Sequence, residues 1–418
     1  MRIGIVGAGI SGLIAASVLS RRHQVAVLEA NDYIGGHTRT VDVSDGSRLL
    51  ALDTGFIVFN EQNYPNLCRL FSRLGVESRE TDMGFSVHCE RSGIEWNGSS
   101  LNQIFAQRSN LLRPAHWRML TDIARFHRHA RAALGSLDET TTVDAWLQRK
   151  GYGRGFAERY LLPLGASLWS CSATDFGAFP MRFVVEFLDN HCMLQANERP
   201  MWRTVVGGSR EYVNRLIAPF AENILLNTPV TSVRRARGGV DVKTANGGEM
   251  RFDEVVLACH ADQSLRLLVD ADPLEREVLR TFPYHRNEAV LHTDTTLLPS
   301  RRAAWASWNY RVPAQRRTEV GVTYNMNLLQ GLDSDKTWCV SLNPGASIDP
   351  TKVVGRFTYE HPLFTLGRAS AQARHSELIR RRGVSLCGAY WGYGFHEDGV
   401  TSALAVCEGF DEALEVAA

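Results

Sequence analysis

Gly7, Gly9 and Gly12 stand at the spacing that lets a backbone wrap a pyrophosphate, in the run VGAGISG. Gly7 permits the tight turn, Gly9 lets the main chain approach the phosphates, and Gly12 lets the following helix sit close to the strand before it. Ala8 and Ser11 lie inside the same turn and share the contact. Glu29, 22 residues after Gly7 with Ala30 beside it, puts a carboxylate where it can accept hydrogen bonds from ribose hydroxyls. This chemistry is dinucleotide binding, and the fingerprint alone fits NAD or FAD. Cys259 has the look of a nucleophile, but its place after an apolar strand favours a buried structural thiol.

These residues need a scaffold that the flanking pattern supplies. Ile3–Val6 reads as a short buried strand, the next segment to Arg22 as a helix, and Val25–Leu28 as the following strand. The helix N-terminus presents free N–H groups and a positive dipole end to the phosphates. Asn60–Leu74 has helical spacing and stops at Gly75. FSVHCE (85–90) and GIEWNG (93–98) alternate as a hairpin of a different, antiparallel sheet. Thr142–Lys150, Tyr160–Ser170 and Phe179–Leu188 read as helical, and the last two could wall a greasy cavity or simply fill a core. Asn227–Val233 and FDEVVLACHA return to strands, the latter bringing Ala258 near the dinucleotide. Thr281–Thr293, Ala303–Val312 and Glu319–Met326 read as further strands of the second sheet, and Tyr359–Phe364 as a loop. Val384–Phe395 is a strand and a glycine-rich turn, with a helix starting near Asp398 or Gly399.

Arg108–Arg131 is unusual. Pro114 can open a helix in which Trp117, Met119, Leu120, Ile123, Phe126 and Ala130 share a face, with Arg118, Arg125, Arg128 and His129 opposite. A basic amphipathic helix of this kind fits an anionic membrane surface. A core-packed helix with a solvated basic face fits slightly better.

Composition excludes several classes. The 418 residues carry a net charge of +1, which argues against nucleic-acid binding. Lysines occur only at 150, 243, 336 and 352. The eight cysteines form no CxxC and no metal-like spacing, so reduced thiols in a cytosolic protein and no metal are expected. The apolar start is a strand interrupted by glycines rather than a signal peptide, and no apolar run is long enough to span a bilayer.

Past Glu29 the diglycine Gly35–Gly36 with His37 and Thr38, and then the D-x-G turn Asp53–Thr54–Gly55–Phe56, resemble the flavin-containing amine oxidase superfamily. The resemblance implies an α/β fold: a Rossmann-like FAD-binding domain of the glutathione-reductase type, interleaved with an α+β substrate domain on an antiparallel sheet. The FAD domain is expected from 1–76, 205–268 and 381–418, and the substrate domain from 77–204 and 269–380. The resemblance also implies noncovalent FAD, with Gly36, His37 and Thr38 at its diphosphate and Thr54, Gly55 and Phe56 along the flavin. The family usually has Arg where His37 stands, so the charge there becomes pH-dependent. Val230 of the T-P-V segment is implied at the adenine end. Phe395, Asp398, Gly399 and Val400 are implied at the flavin, where the helix dipole offsets negative charge on the reduced ring. Alignment of HEDG puts His396 where amine oxidases have a cage tyrosine, and Tyr393 joins it as a catalytic candidate. Thr281–Thr293 lacks the lysine that amine oxidases carry near the flavin; His285 and His292 are its candidate polar groups in that role, His292 being the third catalytic candidate.

The phrases DTGFIVFN, YPNL, AQRSNLLRP, WRTVVGGSREYV, VVLACHADQ, AAWASWNY, YEHPLF and YGFHEDG resemble a narrower group, bacterial FAD-dependent oxidoreductases similar to the N-terminal half of plant cyclopropane fatty acid synthases. That group includes a desaturase of methylated phospholipid acyl chains on the route to furan fatty acids. TSALAV in the last helix and Cys192 in DNHCMLQ depart from its pattern. The resemblance implies dehydrogenation of a lipid acyl chain or another apolar molecule, with O2 one possible electron acceptor, on the inner face of a membrane reached through Arg118, Arg125 and Arg128. A small-amine oxidase and a redox-neutral flavoprotein, an isomerase or partner subunit, are the alternatives.

Overall fold

The computed structural model describes residues 1–46, 48–195, 199–314 and 321–414. Its organising element is a parallel sheet of five strands in the order Ile224–Leu225, Gln24–Leu28, Arg2–Val6, Glu254–Leu257, Val384–Leu386. Such strands are apolar on both faces because both faces are covered. Ile3 and Ile5 pack under the helices Ile10–Leu19 and His396–Glu408. Val6, Val255 and Leu257 pack on the other side against Val233, Val240 and Phe252 of a three-stranded meander. The sheet therefore draws on the start, middle and end of the chain, as a Rossmann-like cofactor domain requires.

The second sheet has seven strands in the order Val353–Pro362, Tyr284–His292, Cys339–Leu342, Val322–Asn325, Trp308–Val312, Phe85–Cys89, Ile94–Asn97. It is not wholly antiparallel, as the sequence suggested: Trp308–Val312 runs parallel to Phe85–Cys89. The two segments are joined through a long excursion rather than a hairpin, so no tight turn imposes their direction. A second correction concerns Tyr359–Phe364. Its first four residues belong to the edge strand Val353–Pro362, paired from Tyr284↔Pro362 to His292↔Val353. Pro362 is tolerated because it ends an edge strand. The expected strand Glu319–Met326 is seen as Val322–Asn325, and Glu319 and Val320 lie outside the described residues.

A third small sheet joins Val58–Asn60, Trp202–Val205 and Ser78–Thr81 across the two halves. The helix expected over Asn60–Leu74 is confined to Pro65–Leu74, because the chain before it belongs to this sheet. Helices Pro114–Ala133, Leu162–Leu168 and Met181–Asn190 form an aromatic-rich layer over the substrate side. Pro114 does open its helix, and Met119, Phe126 and Ala130 are buried as expected. Trp117 is instead 47% exposed, while His116 and Asp122 are buried. Among the described residues no helix is long and apolar enough to cross a membrane.

Candidate active site

The opening turn is built by two glycine-rich segments facing each other. Gly7 has φ +104°, and its N–H donates to the Leu28 carbonyl at 2.9 Å. A side chain at Gly12 would collide with the Gly7 carbonyl oxygen, so only glycine lets the helix Ile10–Leu19 start this close to the strand. A methyl at Gly9 would meet nothing within 4 Å, which leaves that face of the turn open to a ligand. Gly35 donates its N–H to the Ala8 carbonyl at 2.9 Å and brings Gly36 against Gly9. The helix start at Gly9 has no side-chain cap, so its N–H groups remain available to an anion.

Glu29 closes the strand Gln24–Leu28. Its carboxylate is buried and accepts the Ala8 N–H at 2.7 Å and the Asn31 N–H at 2.9 Å. Ala30 beside it is exposed. The Glu29 N–H donates to the Leu225 carbonyl and its carbonyl accepts the Thr228 N–H, which brings half-buried Val230 to this edge. Ala258 N–H donates to the Val6 carbonyl, placing Ala258 under Gly7 and Gly12.

The closing turn meets the opening one. Gly399 and Val400 are buried against Ile10 and Ser11. The helix starts at His396, two to three residues before the sequence reading, because Asp398 folds back to accept the Phe395 N–H at 2.8 Å. That carboxylate is thus spent on the turn, and burial pushes its pKa up to about 6. Glu397 reaches the other way and accepts the Asn66 and Leu67 N–H groups at 2.9 and 3.0 Å, fixing the start of Pro65–Leu74.

His396 stacks on Phe56 with ring centroids 3.8 Å apart. Its Nε2 lies 3.0 Å from Thr38 Oγ1 and 2.9 Å from the Tyr212 hydroxyl. Burial and neighbouring His37 push its pKa down to about 3, so the ring is neutral near pH 7. His396 therefore ties the closing turn to the diglycine loop and to the D-x-G turn. The Phe56 N–H donates to the His37 carbonyl at 2.8 Å, and Thr54 Oγ1 is 2.7 Å from the Tyr359 hydroxyl. A side chain at Gly55 would strike that same His37 carbonyl. Tyr393 and Phe395 take another direction. Tyr393 packs on Phe183 at 5.4 Å, Phe395 on Phe187 at 5.1 Å, and Trp169 Nε1 donates to the Tyr393 carbonyl.

His37 is also neutral, with its pKa pushed down to about 4 by burial and then by His260. It brings no standing charge to a diphosphate at neutral pH. Its neighbours include His361 at 5.2 Å and Tyr359 at 5.1 Å between ring centroids. Asn287 Nδ2 donates to His361 Nδ1 at 3.0 Å, and Asn287 Oδ1 accepts from Asn343 Nδ2 at 2.6 Å. The chain of amides fixes the His361 ring with its proton on Nε2. Sequence reading missed His361 because Tyr359–Phe364 looked like a loop. The signal is the alternation FTYEH, which continues a strand into Pro362.

His292 is corrected. It sits at the far end of Tyr284–His292, buried, with Nε2 2.8 Å from Ser341 Oγ and Nδ1 accepting the Asp294 N–H. It stands eight residue steps along the strand from Tyr284, which stacks on His260, so it lies about 26 Å from that end. Cys259 is a half-buried structural thiol: desolvation pushes it up to about 11 and its sulfur meets Ser264 Oγ. Among the described residues no group of three or more His, Cys, Asp or Glu is arranged to hold a metal ion.

The sequence model of the flavin containing amine oxidoreductase family matches residues 10–294. The chain belongs to this family. By that membership it is a flavin-dependent oxidoreductase. The residues present fit FAD: an open glycine face, an uncapped helix start, a buried acid beside it and a second helix start closing the far side. Gly7, Ala8, Gly9, Ser11, Gly12 and Gly36 would hold the diphosphate, Glu29 the ribose, and Val230 the adenine end. The segment Thr54–Phe56 and the main chain of Gly399–Val400 would hold the flavin.

Among curated proteins the chain is 24% identical to the mouse (Mus musculus) L-amino-acid oxidase over 313 residues, 68% of this chain and 46% of that one. It thus spans less than half of that relative's length. A protein of Methanocaldococcus jannaschii is 56% identical over 36 residues, 9% of each chain. Putrescine oxidase superposes with a TM-score of 0.69 at 15% identity, covering 98% of this chain and 99% of that one. Cyclohexylamine oxidase from Brevibacterium oxydans gives 0.69 at 16% identity over the same shares. A fatty acid isomerase from P. acnes gives 0.67 at 15% identity, covering 96% of each.

Proposed function

We propose that this family member dehydrogenates a lipid acyl chain, such as a methyl-branched phospholipid fatty acid. The observation that carries the reading is the aromatic wall at the closing turn. Half-buried Tyr393 and Phe395 face Phe183, Phe187 and Trp169, with Phe364 behind. Such a wall binds an alkyl chain through apolar contact, and it fixes the chain's path without demanding a charge on the substrate. The strand Tyr284–His292 has buried Asn287 and no lysine, which weakens an amine-oxidase reading.

FAD, when bound, supplies a hydride acceptor for a substrate C–H bond. The protein's task is to hold the reacting carbon and to receive the proton lost from its neighbour. His396 is uncharged near neutral pH, so it can receive a proton without first losing one, whereas His361, with Nδ1 held by Asn287 and its proton on Nε2, acts as a hydrogen-bond donor. Water is kept from the chain by the aromatic layer. The two electrons leave to an external acceptor, for which O2 is one candidate.

The test compares lipids extracted from cells with and without an active copy, by mass spectrometry. Loss of two hydrogens from a methyl-branched acyl chain supports the proposal. Peroxide release with amines, and unchanged lipids, favours a small-amine oxidase instead. Double-bond movement without loss of hydrogen favours an isomerase.

A further inference from the structure

The helix Pro114–Ala133 borders a surface cleft of about 530 Å³ that no part of the FAD site uses. Four arginines line it, Arg91, Arg118, Arg154 and Arg159, together with Asp122 and Glu158. The two acids are already neutralised. Asp122 pairs with Arg125 at 3.1 Å and accepts the Gly153 N–H. Glu158 pairs with Arg91 at 3.2 Å and with Arg154 at 2.9 Å. Arg118 and Arg159 have no carboxylate within ion-pair distance among the described residues. Arg159 is only 9% exposed, and among the described residues its side chain makes one hydrogen bond, a long one to the Ala115 carbonyl.

Holding an arginine buried and unpaired is costly unless an anion meets it. The local backbone is shaped to hold it there. Residues Ala157–Leu161 form a π-turn, a distortion that recurs at functional sites. A side chain at Gly155 would strike the Arg159 guanidinium, and one at Gly153 would come within 3.2 Å of Arg118 Nε. Both arginines thus pass close against a glycine.

Just before the helix Pro114–Ala133 and in its first turn lie exposed apolar side chains. Leu112 is 88% exposed, and Leu111 and Trp117 are each 47% exposed. Trp117 Nε1 donates to the Leu111 carbonyl at 2.9 Å, which makes the three one patch next to Arg118. Exposed Leu and Trp beside arginine match a bilayer interface. Arg125 takes no part: it pairs with Asp122 and lies over the Tyr152 ring at 4.0 Å.

We propose that the cleft binds the phosphate of an anionic phospholipid headgroup through Arg118 and Arg159, with Leu111, Leu112 and Trp117 set in the bilayer surface. A lipid rather than a soluble ester as the source of that phosphate rests on the acyl-chain reading above. The test uses the FAD-loaded full chain, phosphatidylglycerol and phosphatidylcholine vesicles, and the variants Arg118→Gln, Arg159→Gln and both together. Co-sedimentation with phosphatidylglycerol is expected to weaken about fivefold for each arginine removed. Glycerol 3-phosphate is expected to compete better than chloride at equal ionic strength. Phosphatidylglycerol binding by the double variant equal to that of the unaltered chain overturns the proposal, as does equal binding to both vesicle types. Arg118 is exposed, so Arg118→Gln carries the test if Arg159→Gln fails to retain flavin. A thermal upshift with glycerol 3-phosphate but no vesicle binding also overturns the headgroup assignment. Unchanged cellular lipids with selective vesicle binding intact would sink the acyl-chain reading and leave the cleft standing.

Discussion

The Ser11 hydroxyl donates to the Gly399 carbonyl at 2.9 Å, joining residues 388 apart in the chain. It locks the start of the first helix against the start of the last one. Both helix starts are the ends that favour negative charge. The bond therefore sets the distance between the group that would meet a diphosphate and the group that would meet a flavin ring. Ser11→Ala leaves the carbonyl with Ser402 Oγ at 3.1 Å, so the loss is of order 1 kcal/mol. Weaker FAD retention on gel filtration with a small drop in Tm is the expected outcome.

Gly12→Ala tests the opening turn more severely. The new methyl meets the Gly7 carbonyl and sits 3.2 Å from the Ala258 side chain. Overpacking of this kind costs about 1–3 kcal/mol, and here it also moves the helix start that would bind phosphate. Colourless or readily bleached protein is expected. Full flavin content at an unchanged Tm would contradict the geometry.

Glu29→Ala strips the buried Ala8 N–H and the part-buried Asn31 N–H of their acceptor. An unsatisfied buried donor costs about 1–3 kcal/mol. Thermal melting and the flavin-to-protein absorbance ratio should both fall. Glu29→Gln keeps an acceptor oxygen and should lie between the two.

Asn287→Asp replaces a donor to His361 Nδ1 with a carboxylate. The ring then carries its proton on Nδ1 and its pKa rises, because a negative neighbour favours the charged form. The pH profile of anaerobic flavin reduction by substrate should gain a limb in the range where His361 titrates. An unchanged profile would assign Asn287 and His361 to packing alone.

Acid stability carries a sign that follows from buried histidines. His37, His116, His127, His191 and His292 are pushed down to about 4 and His396 to about 3, all with burial as the leading cause. Between pH 6.5 and 4 the unfolded chain binds more protons at these sites, so stability falls as the pH drops through that window. Asp53 and Asp398, raised to about 6 by burial, act with the opposite sign. Six histidines outweigh two aspartates, and Tm measured from pH 7 to pH 4.5 should decline. A flat or rising Tm would contradict these burial assignments.

The cofactor half of this molecule is written locally. Gly7, Gly12 and Glu29 lie within one strand–helix–strand unit, so spacing alone defines their contacts. The substrate half is written across strands. His361 meets Asn287 through pairing of segments 74 residues apart, and Pro362 hid the strand that carries it. His292 was misplaced for the same reason: a strand reading says that a histidine is present but not which end of the strand faces the site. Trp117, expected on the apolar face of its helix, is exposed, while Asp122 is buried at a cleft that no periodicity reveals.

The most direct test of the account is the visible spectrum and released cofactor of the purified full chain. Flavin absorbance in the blue, with FAD set free intact by acid, is the result expected of a noncovalent site gripped from both ends. A folded preparation that stays colourless, and whose Tm does not rise with excess FAD, would contradict it.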